Sequence, residues 1–329
     1  VKLHALVGAT AGIALLIWLL TRAGLAEVAD AALRLGLLGL AAVSLYQFVL
    51  DGLMAVAWMG LGGGAADAPG RPRLSGYLWA RLTRDAVSQA LPLTQVGGLV
   101  VGGRALALEG MTPAAATAST ITDLAVEFLT QIPFVGLGAF LLAVLAPRSG
   151  LGGPVLAVVA GLGVMAMGMM LAQFWGAHWI EGLLRRVLGR DEAGATPVAQ
   201  TLREIARRPR GLALAALLHF ASWVLAAGQT WLILRWLHQP VSLAGALAID
   251  SLTAGVKAVA FFVPASLGVQ EGILVVLGMA FGVPPSAALA LSLVRRARDL
   301  AVGVPVLIAW QLRHGGRIWS ARGAADARP

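Results

Sequence analysis

Six long, almost uninterrupted apolar stretches dominate this sequence: Leu3–Leu20, Gly36–Leu61, Ala114–Ala146, Gly152–Trp175, Gly211–Trp236 and Pro285–Gln311. About 20 apolar residues in an α-helix cross the hydrocarbon of a bilayer, where every backbone amide must find its partner inside the segment. Such a chain is expected to be an all-α integral membrane protein. The composition agrees: of 329 residues, 58% are hydrophobic and 12% charged, against roughly 25% charged in soluble domains. Soluble globular and disordered chains are thereby excluded. Cysteine is absent, which removes disulfides, thiolate nucleophiles and Cys-ligated metals. The formal charge of +9 comes from 25 Lys+Arg against 16 Asp+Glu. These charges are scattered between apolar runs, which points to orientation in a membrane and away from nucleic acid.

Cytoplasmic loops concentrate Lys and Arg. Residues 176–210 carry Arg185, Arg186, Arg190, Arg203, Arg207, Arg208 and Arg210, and the tail carries Arg313, Arg317, Arg322 and Arg328. Both are assigned to the cytoplasm, which makes both termini cytoplasmic and the protein a multi-pass component of the bacterial inner membrane. Leu3–Leu20 reads as a retained helix, since no small-residue cleavage site follows it. Two further apolar regions, Leu74–Leu108 and Val241–Phe281, are broken by Pro, Gly and polar residues. The charge pattern is satisfied if each returns to the face it came from. The expected fold is thus a polytopic helical bundle of six full spans plus two re-entrant hairpins.

The two broken regions resemble each other. The first reads Pro92-Leu-Thr-Gln95-Val-Gly97-Gly98, then Gly110-Met-Thr-Pro113, then Asp123-Leu-Ala-Val126. The second reads Pro264-Ala-Ser-Leu-Gly268-Val-Gln270-Glu271-Gly272, then Gly282-Val-Pro-Pro285, then Asp299-Leu-Ala-Val302. Landmarks in one order at a nearly constant offset indicate an internal duplication. The orientation rule inverts one copy relative to the other, the arrangement of secondary transporters with broken helices at the midplane. The expected organisation is a first half (1–175) with a hairpin at 74–108 entering from the cytoplasm. An amphipathic cytoplasmic linker (176–210) follows, then an inverted second half (211–312) with a hairpin at 241–281 entering from outside, and a basic tail (313–329).

Charges inside a bilayer cost at least about 2.5–3.5 kcal/mol on insertion scales, which makes intramembrane ions functional candidates. Arg81, Arg84, Gln95, Arg104, Gln270, Arg295 and Arg298 are the candidate substrate-binding side chains. Asp85, Asp123, Glu127, Lys257, Glu271 and Asp299 are candidates for proton or ion coupling. Pro92, Gly97, Gly98, Pro264, Gly268 and Gly272 are candidate hinges. Asp51 reads as a structural acid near Tyr46 and Gln47. The five histidines are dispersed without paired metal-ligand spacing, and no serine elbow or zinc-protease motif is present. No catalytic residue, cofactor or metal is expected.

Pro264–Gly272, followed by an apolar half-helix and Arg295-Arg296-Ala-Arg298-Asp299, resembles the lysylphosphatidylglycerol synthase transmembrane-region superfamily, to which the flippase half of the multiple-peptide-resistance factor belongs. The stretch Arg81-Leu-Thr-Arg84-Asp85 through Gly98 looks closer to the stand-alone branch associated with hopanoid biosynthesis. The superfamily usually has Pro-Gly-Gly-Leu-Gly before an acid. Here Ala265 and Ser266 replace the two glycines, and Glu271 matches the acid. The resemblance implies translocation of an amphipathic lipid, such as a hopanoid or a phosphate-bearing lipid, by alternating access. It implies no lipid aminoacylation. Membrane lipids are the expected partners, with a second copy of the chain and lipid-biosynthesis enzymes as candidate protein partners. The alternatives are an ion-coupled carrier of a small solute, a lipid-headgroup enzyme using Asp123 and Glu127 as acid and base, and a non-catalytic scaffold.

Overall fold

The computed structural model describes residues 35–62, 72–90, 95–164, 197–260 and 266–326, together with 33, 168 and 263. Leu3–Leu20, Pro92, Pro264 and most of the 176–210 linker lie outside the described residues. Ten helices follow in order among those described: α1 (Gly36–Leu61), α2 (Leu74–Ala90), α3 (Gln95–Leu108), α4 (Pro113–Leu145), α5 (Gly152–Val164), α6 (Pro197–Ala206), α7 (Pro209–Trp236), α8 (Leu243–Val259), α9 (Val269–Ala280) and α10 (Pro285–Asp326).

Three of these, α1, α4 and α7, are long and apolar enough to cross a membrane. At 1.5 Å per residue they extend roughly 39, 50 and 42 Å, against a hydrocarbon core of about 30 Å. The other expected spans fare differently. Pro285–Gln311 is part of a 42-residue helix, long enough to cross but interrupted by Arg295, Arg296, Arg298 and Asp299. Of Gly152–Trp175 the described part is α5. The broken regions each form a pair of short helices, with α2 and α3 roughly 25 and 21 Å long and α8 and α9 roughly 25 and 18 Å, none of which spans the hydrocarbon alone.

Each pair is an antiparallel hairpin. In the first, Gly76 lies beside Glu109, and Gly98 lies against Arg84 and Ser88. In the second, Gly245 lies beside Phe281, and Lys257 Nζ donates to Gln270 at 2.9 Å. The hairpins approach from opposite ends of the bundle. Gly211 sits against the Gly60 carbonyl, Tyr46 donates to the Leu225 carbonyl, and Gln229 donates to that of Val43, so α1 and α7 run antiparallel. Each hairpin starts beside the C-terminal end of its own long helix: Tyr77 packs on Trp58 near the end of α1, and α8 follows α7 through a short loop. The first tip comes level with Gln47 and Asp51, which line one cavity with Asp85 and Gln89, halfway along α1.

Local sequence explains how these elements begin. Thr112 accepts from the Ala115 amide and Pro113 opens α4; Ser242 accepts from the Gly245 amide at 3.0 Å to open α8. Both satisfy amides that a helix start leaves free. Gly110 (φ 107°) and Gly282 (φ 78°) turn the chain just before α4 and α10, in a region of φ that side chains disfavour. They occupy corresponding places in the two halves.

The packing pairs correspond as well. α1 packs on α7; α2 on α10 and α8 on α4; α1 on α10 and α7 on α4; α3 on α4 and α9 on α10. Exchanging α1 with α7, α2 with α8, α3 with α9 and α4 with α10 turns each pair into another of the set. Helices related by that exchange and running antiparallel, as α1 and α7 do, require an axis perpendicular to the bundle.

Apolar side chains cover the outside, with Leu37 86% and Leu38 84% exposed, while Arg81, Arg84, Asp123 and Glu271 are buried. An apolar exterior around a polar interior is the pattern of a membrane protein. Close approach between the halves depends on small residues. A Cβ on Gly138 would fall 1.8 Å from Ser251 Oγ and 2.9 Å from its Cβ. Gly138→Leu is therefore expected to push α4 from α8 and lower stability by about 1–3 kcal/mol, read as a lower melting temperature in detergent.

Candidate functional site

The first polar cluster joins α2 to α4. Residues three and four apart share a helix face, which places Arg81, Arg84 and Asp85 together on α2 and sets Asp123 and Glu127 one turn apart on α4. Arg81 makes a two-pronged contact with Glu127, both N···O distances 2.9 Å, and its Nε donates to Asp85 at 2.8 Å. Arg84 donates to Asp123 at 2.8 Å and also to Glu127. Its guanidinium lies over the Trp58 ring, 5.5 Å from the centroid. From α7, His219 Nε2 is 3.0 Å from the other Asp123 oxygen, and the Trp223 indole donates to the Glu127 carbonyl at 3.4 Å. Planar guanidinium forks facing carboxylates give the strongest of these bonds. Burial makes the set hard to break, because removing one member strands the charge of another.

The second cluster joins α7, α8, α9 and α10. Arg295 donates to Asp250 and to the Thr230 hydroxyl, and Thr230 donates to Asp250 at 2.8 Å. Arg298 pairs with Asp299 at 2.6 Å and donates to Gln229. Glu271 is held from three sides: the Gly268 amide at 2.8 Å, the Ser292 hydroxyl at 2.7 Å and Arg296 Nε at 2.8 Å. It therefore caps α9 and ties that helix to α10 at once. Gln270 donates to Ser292 at 2.9 Å and accepts from Lys257, so Lys257 is met by a neutral amide.

The polarity of the halves is swapped. In the first, the hairpin brings guanidinium groups to acids on the following long helix. In the second, Asp250 and Glu271 of the hairpin meet Arg295 and Arg296 of α10. The charge balance also differs. The first cluster sets Arg81 and Arg84 against Asp85, Asp123 and Glu127; the second sets Lys257, Arg295, Arg296 and Arg298 against Asp250, Glu271 and Asp299.

The clusters approach each other around a small cavity between α1, α2 and α10, about 40 Å³ in volume, with Gln47, Asp51, Asp85, Gln89 and Asp299 among its walls. That is space for a water molecule or so. Of the other sequence candidates, Arg104 is exposed on α3, apart from both clusters. Gln95 is helical, and its side chain lies outside what is described. Gly97 and Gly98 sit in the first turn of α3, where a Cβ on Gly98 would lie 2.6 Å from the Arg84 carbonyl, so Gly98 allows close hairpin packing. Gly268 is a bend (φ 74°), and Gly272 lies within α9 with open space beside it.

Sequence reasoning missed His219, Thr230, Gln229, Ser292 and Arg296. A histidine in the middle of an otherwise apolar helix was the available signal for the first. The three hydroxyl and amide residues carry no distinguishing pattern. Among the described residues no group of three or more His, Asp or Glu is arranged to hold a metal ion.

A family model described as the lysylphosphatidylglycerol synthase TM region matches residues 5–306. No curated protein and no solved structure matches the chain.

Proposed function

The chain belongs to the lysylphosphatidylglycerol synthase transmembrane-region family, whose members are membrane proteins related to lipid handling, and from that premise we propose that it is a lipid flippase of the bacterial inner membrane. The substrate is an amphipathic lipid with an anionic, phosphate-bearing headgroup. In this reading the bundle has six full spans, both termini in the cytoplasm, and two re-entrant hairpins related as inverted repeats. The two arrangements obtained by trading the roles of the halves are the inward- and outward-open states. A hopanoid or its polar precursor is a second substrate class, favoured by the Arg81–Gly98 motif.

The observation that carries this reading is the surplus of cations in the second cluster. Lys257, Arg295, Arg296 and Arg298 face three acids, and Lys257 is satisfied by an amide. An ammonium held by a neutral group can exchange that partner for a phosphate oxygen without stranding a buried carboxylate. Arg295 and Arg298 supply planar donors suited to the same oxygens, while Arg81 and Arg84 organise the opposing hairpin.

The test uses purified protein in vesicles containing a fluorescent phospholipid, with a membrane-impermeant reductant reporting how much probe reaches the outer leaflet. The wild type is expected to expose the inner-leaflet probe. Lys257→Gln is expected to slow this about tenfold, equivalent to roughly 1.4 kcal/mol, with its melting temperature unchanged. Wild-type vesicles that leave the lipid in place while moving a small anionic solute would replace the flippase reading with a carrier.

A further inference from the structure

Six interior acids have a guanidinium partner: Asp85 with Arg81, Asp123 with Arg84, Glu127 with both, Asp250 with Arg295, Glu271 with Arg296 and Asp299 with Arg298. Asp51 differs. It is 3% exposed near the middle of α1, accepts from Gln47 Nε2 at 2.9 Å, and has no ion-pair partner among the described residues. A carboxylate in that position would be a buried anion met by one amide, which is costly; a protonated carboxyl would be an ordinary buried polar group. The side chain also borders the cavity that Gln47, Asp85, Gln89 and Asp299 share, large enough for water to reach it.

We propose that Asp51 is the proton-carrying residue of the transport cycle, taking up and releasing one proton through the cavity between α1, α2 and α10. This rests on the transport reading and adds its coupling ion. Release breaks the carboxyl O–H bond, passes the proton to cavity water and leaves a carboxylate; uptake takes a proton from hydronium and restores the neutral acid. The walls belong to both halves, α1 and α2 to the first and α10 to the second. A shift between halves opens or seals the cavity, and so decides whether Asp51 exchanges with water.

The charged groups around it set the response. Asp85 of α2 and Asp299 of α10 line the cavity with it, Asp85 held by Arg81 and Asp299 by Arg298. The ionisable groups of α4 and α7 nearest this region, Asp123, Glu127 and His219, are engaged with each other and with Arg81 and Arg84. Drawing Arg298 away from Asp299 would leave the Asp299 carboxylate unpaired on the wall it shares with Asp51 and favour the protonated acid. Substrate capture at Arg298 therefore has a route to the coupling acid.

Two measurements separate this proposal from the reading beneath it. Infrared spectra of the purified protein, titrated with pH in detergent, are expected to show a protonated-carboxyl band that Asp51→Asn removes and Asp51→Glu restores at a shifted frequency. In vesicles with fluorescent phospholipid, an imposed pH gradient is expected to accelerate wild-type translocation and to have no effect on Asp51→Asn. A band unchanged in Asp51→Asn, or gradient stimulation that survives the substitution, overturns the proposal. Stimulation by a sodium gradient at uniform pH also overturns it. An Asp51 band in a protein that moves no lipid leaves the proton site standing and overturns the flippase reading. Asp51→Asn keeps the shape and the Gln47 contact, and unchanged elution on gel filtration checks that it folds.

Discussion

Arg84→Ala is expected to lower the stability of the protein by about 3–5 kcal/mol, the range for breaking a buried ion pair from one side. Arg84 is 5% exposed and Asp123 is fully buried. Without Arg84, Asp123 keeps His219 at 3.0 Å and has Arg81 at 3.8 Å, while Glu127 retains Arg81 alone. The guanidinium also leaves its place over Trp58, opening a gap against α1. Unfolding in mixed detergent micelles reads the loss. The double variant Arg84→Met, Asp123→Leu is expected to recover most of it, because apolar groups of similar volume replace buried pairs at little net cost. If the single and double variants lose the same amount, the pair contributes shape alone.

Glu271→Ala is expected to reduce lipid translocation by about a hundredfold or more, roughly 2.7 kcal/mol in barrier height. Three attachments go at once: the cap on the Gly268 amide, the bond from Ser292 and the bond from Arg296. The start of α9 then frays, and Gln270, which positions Lys257, moves with it. Faster hydrogen exchange across residues 268–273 measures this separately from transport. The Gly268 amide and the Ser292 hydroxyl meet different oxygens of Glu271, so Glu271→Gln, with one acceptor oxygen, keeps one of the two bonds and loses the ionic part of the Arg296 contact. It is expected to fall between the wild type and Glu271→Ala; full activity in Glu271→Ala would remove the second hairpin from the mechanism.

Much of the architecture was legible because apolar length is a strong signal. Gly36–Leu61 was read with the bounds the helix has, and α4 and α7 differ from their expected bounds by a residue or two. The interrupted regions were legible through their breaks, which separate α2 from α3 and α8 from α9. The last helix was read short, to Gln311, because the apolar run ends there; the backbone continues as helix to Asp326, since Arg, Ala and Trp residues sustain a helix without an apolar stripe.

The site was legible as a set of charges and illegible as a set of partners. Spacing put Asp123 and Glu127 on one face, but nothing in the sequence says that Arg81 and Arg84 lie against them and that Arg104 points elsewhere. Long-range partners such as Asp250 for Arg295 depend on which helix neighbours which. Hydroxyl and amide contributors such as Ser292 and Gln229 are common residues whose role comes only from position. Asp51 reads from sequence as a capped or paired structural acid near Tyr46 and Gln47; its neighbourhood shows the Gln47 amide as its hydrogen-bond partner.

One property of the ion pairs bears on how the chain is made and how it moves. Among the described residues every guanidinium–carboxylate pair joins groups from the same half, the interhelical ones at separations of 39, 42, 43 and 46 residues in the first and 25 and 45 in the second. Each portion can neutralise its own charges soon after it leaves the ribosome, without waiting for the other to be inserted. The seam that then forms is bridged by Tyr46 to Leu225, Gln131 to Ala254, Gln229 to Val43 and Trp223 to Glu127, all ending on backbone carbonyls, and by the His219–Asp123 contact. Bonds of that kind find substitutes one turn along a helix, whereas the salt bridges do not. The molecule is thereby built as two stiff blocks on a slippery joint, and sliding can proceed there with every buried charge still in its partner's grip.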